Sequence, residues 1–67
     1  MTKSNLKIKR ESAGLTQKQL AEKSGVDIRM IQHYEQQTKD INKASVVTVL
    51  QLSEALECDI YDIINDR

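Results

Sequence analysis

Residues 28–36 carry the side chains best suited to chemistry in this sequence. On a helix that advances about 100° per residue, one arc of about 140° contains Ile28, Arg29, Gln32, His33 and Gln36. The arc has no acid and no lysine. Glutamine can form two hydrogen bonds with adenine, arginine can do so with guanine, and an apolar side chain can contact the methyl group of thymine. The pattern favours contact with base edges over an ordinary solvated helix face, which on the preceding predicted helix is a lysine and glutamate mixture.

Other chemistries find less support. His33 has no Cys, Asp or second His beside it on the predicted helix, so neither metal binding nor general-base catalysis is indicated. Cys58 follows the fourth predicted helix and is interpreted as a buried hydrophobic residue rather than a nucleophile. The acids Asp59, Asp62 and Asp66 are spaced for a helix cap and a solvated face, not for a metal-binding loop. No glycine-rich phosphate loop occurs, so neither an enzyme nor a cofactor is expected.

The composition restricts how such a surface could be supported. The chain has 67 residues, no Pro, Phe or Trp, one Cys and one His. An internal disulfide and a structural zinc site within one chain are therefore excluded, and helix packing must stabilise a single domain over residues 1–67. No apolar run approaches the roughly 20 residues of a membrane span, and no signal sequence follows Met1. A cytoplasmic, nucleoid-associated protein without a membrane partner is expected.

Charge is distributed unevenly along the chain. Ten Lys/Arg balance ten Asp/Glu, and a net charge of zero argues at first against a nucleic-acid partner. Residues 1–43, however, contain nine basic and five acidic side chains (net +4), whereas residues 44–67 contain one basic and five acidic side chains (net −4). The neutral sum therefore does not exclude DNA. It predicts weaker non-specific binding than a uniformly basic protein would show.

Three predicted helices contain or support the polar arc. The first runs from about Thr2 to Ala13 and ends at Gly14, the second from Gln17 to about Lys23 before Gly25, and the third from Ile28 to about Gln36. Thr16 and Asp27 are favourable N-caps. Inner positions share stripes at helical spacing: Leu6, Arg10 and Ala13; Leu20, Ala21 and Ser24; Ile31 and Tyr34. Ile8 lies opposite Leu6 and is either a single exposed apolar residue or part of a partner contact.

The remaining residues predict a loop and two further helices. Residues 37–42 are polar and predict the loop. The fourth helix starts at Asn42 or Ser45 and runs to about Glu57. Its β-branched start would by propensity alone favour a strand, but a helical face is shared by Val46, Val49, Leu50, Ser53 and Leu56, and Leu52 extends this apolar arc. Asp59 caps a fifth helix from Ile60 to about Asn65, so the expected fold class is all-α, with two short helices folded over a longer one.

The segment from residue 15 to residue 35 resembles a known family. It contains the run Leu15-Thr16-Gln17-Lys18-Gln19-Leu20-Ala21-Glu22-Lys23-Ser24-Gly25-Val26, followed by Ile31 and Glu35. This run is similar to the helix-turn-helix of the Cro/C1-type (XRE-like) regulators. The resemblance extends from about Leu6 to Ile64 and implies a compact five-helix, lambda-repressor-like domain with its motif at about residues 16–36. It implies a sequence-specific, double-stranded DNA-binding transcriptional repressor from a bacterium or phage, bound as a homodimer to a two-fold symmetric operator with the third helix in the major groove.

The resemblance also implies roles for individual residues. The base-facing positions are matched by Ile28, Arg29, Gln32 and His33, which we call the base-contacting surface. Phosphate-contacting positions at the start of the second helix and around the following loop are matched by Thr16, Gln17, Gln36, Lys39, Asn42 and Lys43. Arg10 and Glu35 match a largely buried ion pair between the first and third helices, so removing one partner should cost about 3–5 kcal/mol of stability.

Two positions depart from the family pattern. Gln37 and Glu57 stand where glycine usually follows the third and the fourth helix. Each must adopt a strained left-handed conformation, or its helix must end differently. The path of the loop that carries Lys39 and Lys43 depends on which occurs at Gln37.

A protein-interaction module, such as an antitoxin or adaptor, is the alternative function. In that case the fourth and fifth predicted helices would bind a protein partner through exposed apolar residues such as Val47, Ile60 or Ile64. In the regulator, the last helix is the expected dimer interface. Weak, salt-sensitive affinity of the pure protein for random DNA would favour the regulator, because counterion release makes such binding depend on salt.

Overall fold

A computed structural model describes residues 4–64, which form four α-helices and two short 3-10 turns. The helices are α1 (Asn5–Ser12), α2 (Gln17–Ser24), α3 (Ile28–Gln36) and α4 (Val46–Ala55), and the 3-10 turns are Ile41–Lys43 and Ile60–Asp62. No strand occurs among these residues. The all-α class is thus confirmed, including the helical state of the β-branched start of α4. The predicted start of the first helix at Thr2 lies outside the described residues.

Side-chain caps begin the first three helices, at Thr16 and Asp27 as predicted and at Ser4, where no cap was predicted. The Ser4 hydroxyl accepts a hydrogen bond from the backbone N–H of Lys7 at 3.1 Å, and Asp27 accepts one from Arg29 at 2.7 Å. Thr16 and Gln19 form a reciprocal capping box, in which each side chain accepts from the other's backbone N–H. These caps satisfy N–H groups that have no partner inside the helix, so the helix starts are determined locally.

The last part of the chain differs from the prediction in its boundaries. Ser45 caps α4 by accepting from the N–H of Thr48 at 3.1 Å, so Ser45 is the correct start and Asn42 belongs to the preceding 3-10 turn. The helix ends at Ala55 rather than near Glu57. The fifth helix is wrong as predicted, because residues 60–62 form a single 3-10 turn. Its predicted end at Asn65 lies outside the described residues.

Tertiary contacts explain why that final segment makes only one turn. Ile63 is fully buried and follows the turn with φ −114° and ψ −17°, which is not regular helical geometry. The Asn5 side-chain amide donates to the carbonyl oxygen of Ile64 at 2.7 Å and ties this segment to α1. Burial of Ile63 and the Asn5 contact therefore stabilise a short turn against α1.

The hydrophobic core receives residues from all four helices and from the segments that connect and follow them. Its buried members are Leu6, Leu20, Val26, Ile31, Tyr34, Ile41, Val49, Leu52, Ala55, Leu56 and Ile63. The predicted inner residues Leu6, Arg10, Leu20, Ser24, Ile31 and Tyr34 are buried, while Ala13 is exposed. Ile8 is also exposed.

The predicted inner face of α4 is rotated relative to the observed one. Val49, Ser53 and Leu56 are buried as expected, but Val46 and Leu50 are 67% and 40% exposed. Leu52 is fully buried, as expected, and Ala55 completes the buried arc. Helical periodicity identifies apolar positions, and the packing of neighbouring elements around α4 selects which of them are covered.

Candidate nucleic-acid interface

The turn between α2 and α3 sets the position of the candidate interface. Gly25 ends α2 in the left-handed conformation, with φ 78°, and its N–H donates to the Ala21 carbonyl at 2.9 Å. The Ser24 hydroxyl accepts from the N–H of Val26 at 3.1 Å, and Val26 is buried. A side chain at residue 25 would be strained at this positive φ, which accounts for glycine between the two helices.

The two sides of α3 differ sharply in exposure. Ile31, Tyr34 and Glu35 are buried against the rest of the domain. The polar arc lies on the opposite side: Arg29, His33 and Gln36 are exposed, and Ile28 and Gln32 are half-buried. The side chains of the base-contacting surface are therefore found together on the outer side of one nine-residue helix.

A buried ion pair fixes α3 to α1 behind this surface. The Arg10 Nε donates to Glu35 Oε2 at 2.6 Å, and Arg10 Nη2 donates to Oε1 at 3.1 Å. A third donor, Arg10 Nη1, bonds the carbonyl oxygen of Leu15 at 2.7 Å, just before α2. The hydrogen bond with Glu35 raises the pKa of the Arg10 guanidinium, with burial opposing it, so Arg10 stays charged. The pair connects three elements: α1, the segment before α2, and α3.

Gln17 lies at the start of α2, but its side chain is directed toward α3. Its Nε2 donates to Glu35 Oε1 at 3.0 Å, and its Oε1 accepts from Gln32 Nε2 at 3.4 Å. The resemblance implied a phosphate contact for this amide, and here the amide bonds protein partners. The Thr16 hydroxyl already accepts from the Gln19 N–H, whereas the backbone N–H groups of Gln17 and Lys18 have no acceptor within the helix and can still bond an anion.

The loop after α3 follows a tight path because Gln37 adopts the left-handed conformation. Its φ is 62°, which is the strained alternative to the usual glycine. The backbone N–H groups of Thr38 and Lys39 then donate to the His33 carbonyl at 3.0 and 3.3 Å. Ile41 is buried and anchors the 3-10 turn that follows. Lys39, Asn42 and Lys43 are exposed on this 37–43 loop.

Thr38 is a residue of the interface that the sequence did not indicate. Its hydroxyl lies 2.9 Å from Nδ1 of His33 and donates to the His33 carbonyl oxygen at 3.2 Å. Because Thr38 contacts Nδ1, the other imidazole nitrogen of His33, Nε2, is the one that can bond a ligand. Nothing in the local pattern distinguishes Thr38 from other polar loop residues, whereas Ile41 could have been suspected as the one apolar residue of residues 37–42.

Neither a metal-binding cluster nor a membrane-spanning helix occurs among residues 4–64. Within residues 4–64, no group of three or more His, Cys, Asp and Glu side chains is arranged to bind a metal ion. Cys58 is half-buried, and burial raises the pKa of its thiol, with a further increase from the nearby Asp62 carboxylate. None of the helices in this range has the length and apolar character needed to cross a membrane.

The fold and the site together define a helix-turn-helix protein, in which α2 and α3 form the motif and α3 exposes a polar face. A helix-turn-helix family model matches residues 6–63, which is most of the chain. The chain belongs to the Cro/C1-type (XRE-like) helix-turn-helix family of DNA-binding regulators. Comparison with curated proteins and with solved structures finds no significant match.

Proposed function

We propose that this chain is a sequence-specific, double-stranded DNA-binding transcriptional repressor that inserts α3 in the major groove of an operator. The observation that carries the proposal is the outer side of α3, where guanidinium, amide, imidazole and apolar groups lie together without an acid. Each of these groups is suited to a base edge, and Arg29 in particular is suited to guanine.

The surroundings of α3 supply groups for phosphates on both sides. The first turn of α2 offers backbone N–H groups, and the 37–43 loop exposes Lys39 and Lys43. Contacts of this kind set register and orientation, while base contacts set sequence preference. A repressor of this design would act by occupying its operator in the cytoplasm of a bacterium or in a phage-infected cell.

A homodimer is proposed because an isolated helix of nine residues covers only a short half-site. Two copies related by a two-fold axis would contact two half-sites about 10 base pairs apart, one helical turn of DNA. The dimer would place α3 of each copy in successive major grooves on one side of the duplex.

Selection of bound duplexes from random DNA tests the proposal. We expect a two-fold symmetric consensus, with half-sites separated by about one helical turn. The double variant Arg29→Ala, Gln32→Ala should lose the consensus, whereas Gln51→Ala, Glu54→Ala on the exposed side of α4 should retain it. Recovery of sequences without any consensus by the unaltered chain would contradict sequence-specific binding.

An exposed apolar stripe on α4 favours a protein-interaction module as the second candidate. Val46, Val47 and Leu50 are 67%, 64% and 40% exposed and lie on one side of the helix. Ile60 and Ile64, which were expected to share this surface, are instead partly buried against the core. The candidate surface for a partner therefore consists of Val46, Val47 and Leu50.

Size-exclusion chromatography combined with DNA titration separates the two candidates. A stable monomer that ignores random DNA at low salt would favour an antitoxin or adaptor. Weak DNA affinity that falls steeply as salt rises would favour the regulator, because phosphate contacts release counterions.

A further inference from the structure

A continuous chain of hydrogen bonds runs from the protein interior to the base-contacting surface. It begins at the Arg10–Glu35 ion pair, passes from Glu35 Oε1 to Gln17 Nε2 at 3.0 Å, and continues from Gln17 Oε1 to Gln32 Nε2 at 3.4 Å. The Glu35 side chain is only 2% exposed, so water does not compete for its carboxylate. Gln17 and Gln32 are half-buried and lie between this carboxylate and solvent.

The carboxylate determines which way each amide along this chain is turned. Ionised Glu35, paired with Arg10, can only accept hydrogen bonds, so Gln17 must direct its NH₂ group toward Glu35. The Gln17 carbonyl oxygen then faces Gln32, which must donate a hydrogen bond to it from its own NH₂ group. The reverse orientation of Gln17 would place its carbonyl oxygen against a carboxylate oxygen, an unfavourable contact between two acceptors.

We infer that Glu35 and Gln17 are positioning residues that set the base preference of Gln32, an inference that rests on the proposed DNA-binding function. With one N–H bonded to Gln17, Gln32 retains one N–H donor and its Oε1 acceptor. This pair matches N7 and the N6 amino group of adenine, whereas guanine presents two acceptors, N7 and O6, to the major groove. Through Gln17, the buried ion pair therefore holds the Gln32 amide in an orientation that matches adenine rather than guanine at the base pair that Gln32 contacts.

The variant Gln17→Met removes the hydrogen bonds that connect Glu35 to Gln32 and preserves most of what surrounds them. Methionine has a similar unbranched shape and no amide, the backbone N–H of residue 17 is unchanged, and Glu35 keeps its two bonds from Arg10. Gln51→Met is the matched control, because Gln51 is an exposed glutamine on α4. Gln32→Ala identifies the base pair that Gln32 contacts, as the position where its preference is lost.

The binding of each variant to duplexes that carry every base pair at every half-site position tests the inference. We expect unaltered protein to prefer adenine at the Gln32 position, and Gln17→Met to reduce the preference for adenine over guanine there by roughly three- to tenfold. Preferences elsewhere, and all preferences of Gln51→Met, should be unchanged. In the Gln32→Ala background, Gln17→Met should have no additional effect on this preference.

A direct readout in the free protein accompanies the binding assay. The side-chain NH₂ resonances of Gln32 should shift in Gln17→Met and in Glu35→Gln, but not in Gln51→Met, when each variant is recorded well below its unfolding temperature. A uniform loss of affinity for all duplexes in Gln17→Met would identify Gln17 as a phosphate contact only and would overturn the inference. An unchanged adenine preference or unchanged Gln32 resonances would overturn it too, whereas an unaltered protein without any consensus would refute the proposed function itself.

Discussion

The part of the domain formed by residues 4–43 and the part formed by residues 44–64 expose different kinds of surface. The first part buries an ion pair, connects it to two half-buried amides, and exposes polar side chains on α3 and the 37–43 loop. The second part supplies the core residues of α4 and exposes the apolar stripe Val46, Val47 and Leu50. Sequence charge follows the same division, since residues 1–43 are net basic and residues 44–67 net acidic.

This division explains how a chain of zero net charge can suit a polyanion. Electrostatic attraction to DNA depends on the potential at the surface that approaches it, and the surface proposed to do so is built from the basic part of the chain. The acidic part contributes α4, which packs against α2, while α3 packs against α1 and α2. The same division indicates where substitutions should affect stability, DNA affinity or association separately.

The largest expected effect is the loss of one partner of the ion pair. Glu35→Ala should lower the free energy of unfolding by about 3–5 kcal/mol, because it leaves the buried Arg10 guanidinium without its counter-charge. Urea denaturation monitored by circular dichroism measures the change. The exposed ion pair Lys23–Glu57, at 3.8 Å, joins the two parts of the domain and is the control, and Glu57→Gln should change stability by no more than about 1 kcal/mol. Equal losses in the two variants would show that the Arg10–Glu35 pair is not specially buried.

The next effect separates two kinds of contact within the first part. Arg29→Ala should cost roughly 1–3 kcal/mol at particular base pairs, because a bidentate base contact is lost. Lys43→Ala should weaken binding to all sequences alike and should reduce the slope of log affinity against log salt by about one. Titration of selected and scrambled duplexes at several salt concentrations measures both. Indistinguishable behaviour of the two variants would contradict the assignment of Arg29 to bases and Lys43 to phosphate.

A smaller effect compares one strained residue from each part. Gln37 and Glu57 both have positive φ, 62° and 55°, after α3 and α4. Gln37→Gly and Glu57→Gly should each raise the free energy of unfolding by about 0.5–1 kcal/mol, because glycine relieves more strain than its extra entropy in the unfolded chain costs. Only Gln37 belongs to the 37–43 loop, so DNA affinity should change in Gln37→Gly and not in Glu57→Gly. Destabilisation by both glycines would show that the left-handed conformation is not strained here.

Local signals predicted some elements well, and tertiary packing decided the rest. The bounds of α3, Ile28–Gln36, follow from the Asp27 cap and from helical periodicity, both of which are local. The exposed side of α4 and the single turn at residues 60–62 depend on which neighbours cover them, and the sequence does not state this. In the site, the polar arc of α3 could be predicted from spacing, whereas the direction of the Gln17 amide depends on Glu35, 18 residues away in sequence.

The smallest expected effect, at the exposed Val47, is compared with a larger one at the buried Val49, so that the same substitution at two positions tests which side of α4 is exposed. Val47 is 64% exposed and Val49 is 5% exposed. Val49→Thr should cost about 1–3 kcal/mol, because it buries a hydroxyl in the core. Val47→Thr should change the free energy of unfolding by less than about 0.5 kcal/mol, as for other exposed surface positions. Urea denaturation at two protein concentrations measures both changes. If Val47→Thr destabilised the protein only at the higher concentration, Val47 would lie in an interface between copies rather than in solvent.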